Sequence, residues 1–248
     1  MHRTNAESIA LSKVQFNTAN IEFRNRIRDA NLMCKIHSAY NSFDWSVKSH
    51  NCIGCNLDQS TKYISLILDV ASENKQAFEP EELVAMYVIP LNSLYERIED
   101  ILNIIEFARK YRETKFQEFK NARRWANFFK HPKAFGWLVH HPHYAIESSN
   151  DHRALMADAS EYIFVENEFL GKYYSSSATE NAKSLQGHFK NKGDRVVVVL
   201  PDVAKLTTSV CESLEYFVKV LIDNPIYKDL LSDESTIVDY YDKHPMFA

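Results

Sequence analysis

From Leu94 onward, apolar residues return every three or four positions: Leu94, Ile98, Ile101, Ile105 and Ala108, then Phe119, Ala122, Ala126 and Phe129. That period is the one face of an α-helix, and nothing else in the chain constrains the fold as strongly. Arg112 and Lys115 interrupt the stripe. The spacing therefore predicts one long helix or two collinear ones, starting after Pro90 with Asn92 or Ser93 as cap and ending near Lys130. Pro132 disfavours helical geometry at the residue before it, His131. Other segments repeat the pattern. Residues 5 to about 40 carry Ile9, Val14, Ile21 and Ile27 at helical intervals with no glycine or proline. Pro80-Glu81-Glu82 reads as a helix start, because proline fixes φ and acids favour the positive end of the helix dipole. After Pro201-Asp202, a helix to about Asp223 places Val203, Leu206, Val210, Leu214, Phe217, Val218 and Leu221 on one face, and two short helical pieces follow up to Tyr241.

Elsewhere the pattern changes. Residues 41 to 60 read as a loop, and the apolar run within 61–75 fits a helix or a buried strand equally. Phe135–Tyr144, Glu161–Val165, Phe169–Tyr174 and Asp194–Leu200 are rich in β-branched and aromatic residues, as strands are. With only 5 glycines in 248 residues, a turn-dense all-β fold is disfavoured. The expected architecture is mainly α, a helical bundle with long helices and a small β-rich insertion at about 135–200, α+β overall. It is expected as a single domain, 1–248, with a helical core at about 5–40, 80–131 and 201–241.

Several function classes lack their signatures. No Gly-rich phosphate loop of the common types is present. The acidic residues form no paired constellation suited to acid–base work, and Thr207, Thr208 and Ser209 have no base near them in sequence. The longest apolar runs are too short to span a bilayer, and the opening MHRTNAES lacks an apolar signal core. With four scattered cysteines, these features lead to the expectation of a cytoplasmic protein without a disulfide scaffold and without membrane contact.

The net charge is −4, but it is unevenly placed. Arg109 to Lys133 holds nine Lys/Arg against two Glu, a local +7, which leaves −11 for the remainder. At 100° per residue, Ala122, Ala126 and Phe129 cluster, Trp125 and Phe128 flank them, and Arg124, Asn127, His131 and Lys120 share the opposite face. Arginine holds a phosphate oxygen through a forked pair of hydrogen bonds, and histidine titrates near neutrality and moves protons. Such a strip suits phosphodiester cleavage without a metal. The plainer reading is a basic helix end favoured by the dipole, with aromatics packed as core between the charges.

Arg124-x6-His131 on a helix of an expected bundle resembles the Arg-x(4–6)-His signature of the HEPN superfamily. The resemblance covers about ten residues. It implies a helical bundle that dimerises and brings two such motifs together, and an endoribonuclease of toxin or phage-defence type that requires no metal. Arg124 and His131 would then be catalytic and Asn127 a polar helper, with Lys120, Arg123 and Lys130 steering the RNA backbone. Trp125 departs from the family, in which the residue after the motif arginine is usually polar. The β-rich segment is also foreign to a minimal bundle of this type. The alternative is a non-catalytic helical protein that binds nucleic acid or a cognate protein partner, antitoxin-like, through the same basic strip.

Cys34-x2-His37 followed by Cys52-x2-Cys55 has the ligand spacing of a structural zinc site, a metal clip over 34–55, with His50 as a substitute ligand. The plainer reading is separate reduced cysteines. His140, His141 and His143 form a dense group that reads as an RNA or metal contact or as a polar strand end. The zinc spacing predicts one zinc per chain. Native mass spectrometry showing a metal-free mass would reject the clip.

Overall fold

The computed structural model describes residues 6–29, 53–74, 77–130, 144–146, 161–166 and 195–232. In chain order the elements are helices α1 (Ala6–Asp29), α2 (Ile53–Glu73), α3 (Pro80–Ile104), α4 (Arg109–Lys115) and α5 (Gln117–Lys130), strands β1 (Tyr144–Ile146), β2 (Tyr162–Glu166) and β3 (Arg195–Val199), and helices α6 (Val203–Asp223) and α7 (Pro225–Ser232). The protein is thus mainly α with a small antiparallel sheet, the expected class. No described helix is long and apolar enough to cross a membrane.

The helices follow one another around a shared core. α6 lies along α1, α1 along α2, α2 along α3 and α3 along α5, and α5 returns to touch α6. Phe23 of α1 meets Phe217 of α6 at 5.9 Å, and Tyr95 of α3 stacks on Phe119 of α5 at 5.3 Å. Polar pairs also tie helices together, α1 to α2 and α3 to α6. Lys13 reaches Asp69 at 2.8 Å, and the fully buried Tyr87 hydroxyl bonds to Thr207 at 2.7 Å. β3 is the central strand, antiparallel to both β1 and β2. Val198 and its partner Ile163 face the helical core, whereas Tyr162 and Phe164 are exposed. β2 and β3 match two expected strands. Residues 135–143 and 169–174 lie outside the described residues.

Four sequence expectations are corrected. In α1, Ile9 is buried with Phe16, Ala19 and Phe23, but Val14 and Ile21 are 63% and 64% exposed. The core face is set by the bulkier aromatics, which occupy one side of the helix together with Ile9. Second, residues 53–60, expected as loop, belong to α2, which begins at Ile53, and the ambiguous 61–75 stretch is helical up to Glu73. Its buried residues Ile64, Ile67, Leu68 and Ala71 fall at helical spacing.

Third, α3 does not start after Pro90. It starts at Pro80, where the Glu79 N–H donates to the Glu82 carboxylate at 3.1 Å, and runs through Pro90 to Ile104. An interior proline removes one helical hydrogen bond and crowds the preceding turn. Here it is carried by packing on both sides, with Tyr87, Val88, Leu91 and Leu94 all fully buried. Asn92, expected as a cap, is instead buried in the helix interior.

Fourth, the 94–130 stripe falls in three helices rather than in one or two collinear ones. The first break is a Schellman-type end. Glu106 sits in the left-handed region at φ 51°, the Phe107 N–H reaches the Leu102 carbonyl at 2.9 Å, and the Glu106 N–H reaches Asn103 O at 3.0 Å. Glycine usually takes this position, and a side chain there costs about 1 kcal/mol. Arg112 offsets that cost. Its guanidinium donates to the Phe107 and Leu102 carbonyls, both at 2.7 Å, and also to the Asn103 side chain. Ile105 and Phe107 are buried, so the apolar rhythm continues through a turn that is not helical.

This clip carries a measurable share of stability. Charge-assisted bonds contribute about 1.5–3 kcal/mol each, with neighbours non-additive. Arg112→Ala is expected to lower the unfolding free energy by about 2 kcal/mol in urea titrations with an unchanged slope, and Arg112→Lys to recover less than half. A loss within about 0.5 kcal/mol, typical of a plain surface change, would show that the clip is not stabilising.

Candidate nucleic-acid interface

α5 carries the strip singled out in the sequence. Its sequence QEFKNARRWANFFK buries Phe119, Ala122, Trp125, Ala126 and Phe128, and Phe129 packs against the same core. The buried face is rotated from the wheel expectation. Trp125 and Phe128, placed on the flanks, are core residues, and Phe129 is only partly covered. The three rings interlock: Trp125–Phe128 at 5.6 Å and Phe128–Phe129 at 5.0 Å are edge to face, and Trp125–Phe129 at 6.3 Å is stacked. Interlocked aromatics hold the helix at one rotational setting about its axis.

That setting presents Arg124, Asn127 and Lys130 as exposed residues, with Lys120 half-buried beside them. Arg124 and Asn127 are three positions apart and so are neighbours on the helix surface. His131 lies outside the described residues, as do His140, His141 and His143.

Arg123 is placed differently. Its guanidinium lies 4.7 Å from the Tyr95 ring centroid, 2.5 Å from the Glu99 carboxylate and 3.3 Å from the Asn92 side-chain oxygen. Asn92 in turn donates to Glu96 at 2.8 Å. The Tyr95 phenol is held well above its usual pKa, chiefly by burial and then by the Glu99 charge, with Arg123 opposing. Arg123 thus joins α5 to α3. Its partners Asn92, Tyr95 and Glu99 recur at helical spacing on one side of α3. Two polar groups and a tyrosine hydroxyl within an otherwise apolar stripe were the signal that could have revealed this network in the sequence.

The local +7 is therefore partly committed to structure. Arg112 serves the turn, Arg123 serves the α3–α5 contact, and Arg109 pairs with Glu113 at 3.2 Å on the surface. Lys115 lies 5.1 Å over the Tyr216 ring. α4 has no buried residue in its span Arg109–Lys115. It adds Lys110 as an exposed cation.

For the proposed metal clip, Cys34, His37 and Cys52, as well as His50, lie outside the described residues. Cys55 is in the first turn of α2, where the backbone alone is described. Among the described residues no group of His, Cys, Asp and Glu has the makings of a metal site. The remaining cysteine, Cys211, is buried in α6. Burial, followed by the charges of Glu215 and Glu212, pushes its thiol up to about 12, so it stays protonated and unreactive at neutral pH.

No family model, curated protein or solved structure matches the chain.

The division between structural and surface cations is open to measurement. Arg123→Ala is expected to cost about 1–2 kcal/mol of stability, since it loses a stacked, partly shielded pair. Lys120→Ala and Lys130→Ala are expected to stay within about 0.5 kcal/mol. Denaturant unfolding showing the same loss for all three would contradict the separate placement of Arg123.

Proposed function

We propose that the protein is a metal-independent endoribonuclease of toxin or phage-defence type, acting through the outer face of α5 in a homodimer. The observation that supports this reading is the exposure of Arg124 and Asn127 side by side on a helix whose other face is locked into the core. A rigid backing suits catalysis, because reacting groups must be held within a fraction of an ångström of their working positions.

In this reading Arg124 binds a non-bridging oxygen of the scissile phosphate and stabilises the extra charge of the transition state. His131, or its copy in the second subunit, removes the proton from the ribose 2′-OH, and that oxygen attacks phosphorus. A protonated histidine gives its proton to the departing 5′-oxygen, leaving a 2′,3′-cyclic phosphate and a free 5′-hydroxyl. Asn127 donates to the phosphate or the ribose. Lys120 and Lys130 raise the local concentration of backbone by a salt-sensitive attraction. The net negative charge elsewhere opposes non-specific RNA binding, so selectivity comes from the geometry of the paired sites. Arg123, committed to Glu99 and Tyr95, contributes by holding the helix rather than by meeting RNA.

The experiment is cleavage of RNA by the full chain in EDTA, free of any cognate partner, with analysis of the ends. Wild type is expected to yield 2′,3′-cyclic phosphates. Arg124→Ala and His131→Ala are each expected to lose at least about 100-fold in rate, the usual scale for a positioned acid or base, and to retain RNA binding. Intact RNA with wild type would sink the nuclease reading. RNA bound but never cut would favour the non-catalytic alternative, and cleavage persisting in both variants would move the site elsewhere.

A further inference from the structure

A groove of about 490 Å³ lies where the turn after α3 and the end of α4 meet α6 and α7. Its walls are Phe107, Tyr216, Val220 and Tyr227. Phe107 meets Tyr216 edge to face at 6.5 Å, and Phe116 braces Tyr216 at 6.0 Å. The chain at Lys115 is held against α6 by the Ser213 hydroxyl, which donates to the Lys115 carbonyl at 2.8 Å. The aromatic wall is therefore backed by packed neighbours.

Three polar groups also line the groove. The Lys115 ammonium lies 5.1 Å over the Tyr216 ring, and Lys219 follows Tyr216 by one turn of α6. Neither ammonium is tied in an ion pair to a described side chain. The Asn224 side-chain oxygen accepts from the Ile226 N–H at 3.0 Å, so the amide nitrogen is the part of that side chain left for a ligand. An aromatic wall with two cations and one hydrogen-bond donor asks for a ligand with a planar ring, an anionic group and a polar edge. A purely apolar ligand would leave the Lys219 ammonium to water and Lys115 with the Tyr216 ring alone. A bare anion would leave the aromatic wall in water.

We propose that this groove binds a mononucleotide, with the base against the Phe107–Tyr216–Tyr227 wall and the phosphate between Lys115 and Lys219. The volume is within the range of about 300–1,000 Å³ common for small-molecule sites, and base–aromatic stacking tolerates any base. The site uses none of Arg124, Asn127 or His131, so it stands whether or not the chain cleaves RNA.

The test is calorimetric titration of the full chain with AMP, and separately with adenosine and with inorganic phosphate. AMP is expected to saturate one site per chain. Adenosine and phosphate are each expected to bind at least about tenfold more weakly, because each lacks one of the two matched halves. Lys219→Gln, an exposed change, is expected to weaken AMP about tenfold, and Lys115→Gln with Lys219→Gln to abolish saturation. Arg124→Ala is expected to leave AMP binding unchanged. Affinity for AMP that is identical in wild type and the lysine variants would overturn the proposal. So would phosphate binding as tightly as AMP, or no saturable AMP binding up to about 10 mM, where binding free energy is too small to count as a site.

Discussion

One guanidinium decides where α5 can go. At the end of α3 the chain must reverse, and it does so through a left-handed glutamate rather than a glycine. Arg112 collects the carbonyls that this reversal leaves without helical partners, from within the short helix that follows. With the turn fixed, α5 returns along α3, Phe119 reaches Tyr95, and Arg123 reaches Glu99. The outward face of α5 follows from these contacts.

Arg123 and Arg124 show how little separates a structural cation from a surface one. They are adjacent in sequence and 100° apart on the helix. One is partly buried against a tyrosine ring and a carboxylate, and the other is exposed. Counting charges along the chain treats them alike. The basic segment is consequently less available to a polyanion than its composition suggests, and its useful part is narrower: the outer side of α5, with Lys110 on α4.

The helical class and the strands β2 and β3 were legible because periods of 3.6 and 2 are properties of the chain itself. The exposed position of Arg124 and Asn127 was legible for the same reason. What the pattern concealed has physical causes. Pro90 obeys a local rule that favours a helix start, yet buried neighbours on either side keep it within α3. Ile105 and Phe107 carry the apolar rhythm through a buried turn, so the break is silent in sequence. In α1 two apolar sets compete, Ile9–Phe16–Phe23 and Val14–Ile21, and only the contacts of distant helices decide between them. The groove beside Tyr216 combines residues from four places in the chain and has no local signature at all.

The order of packing has a consequence for biosynthesis. α1 rests on α6, which lies almost the whole chain away, and the Gln15–Thr208 bond spans 193 positions. β3, the strand that both others need, also comes last of the three. A nascent chain that has emerged as far as β2 therefore holds an α1 with one flank bare and two strands still without the central β3. Non-local closure of this kind slows folding and leaves sticky surfaces uncovered until late. Emergence of α6, rather than of the first helices, sets the moment at which this ring of helices can close.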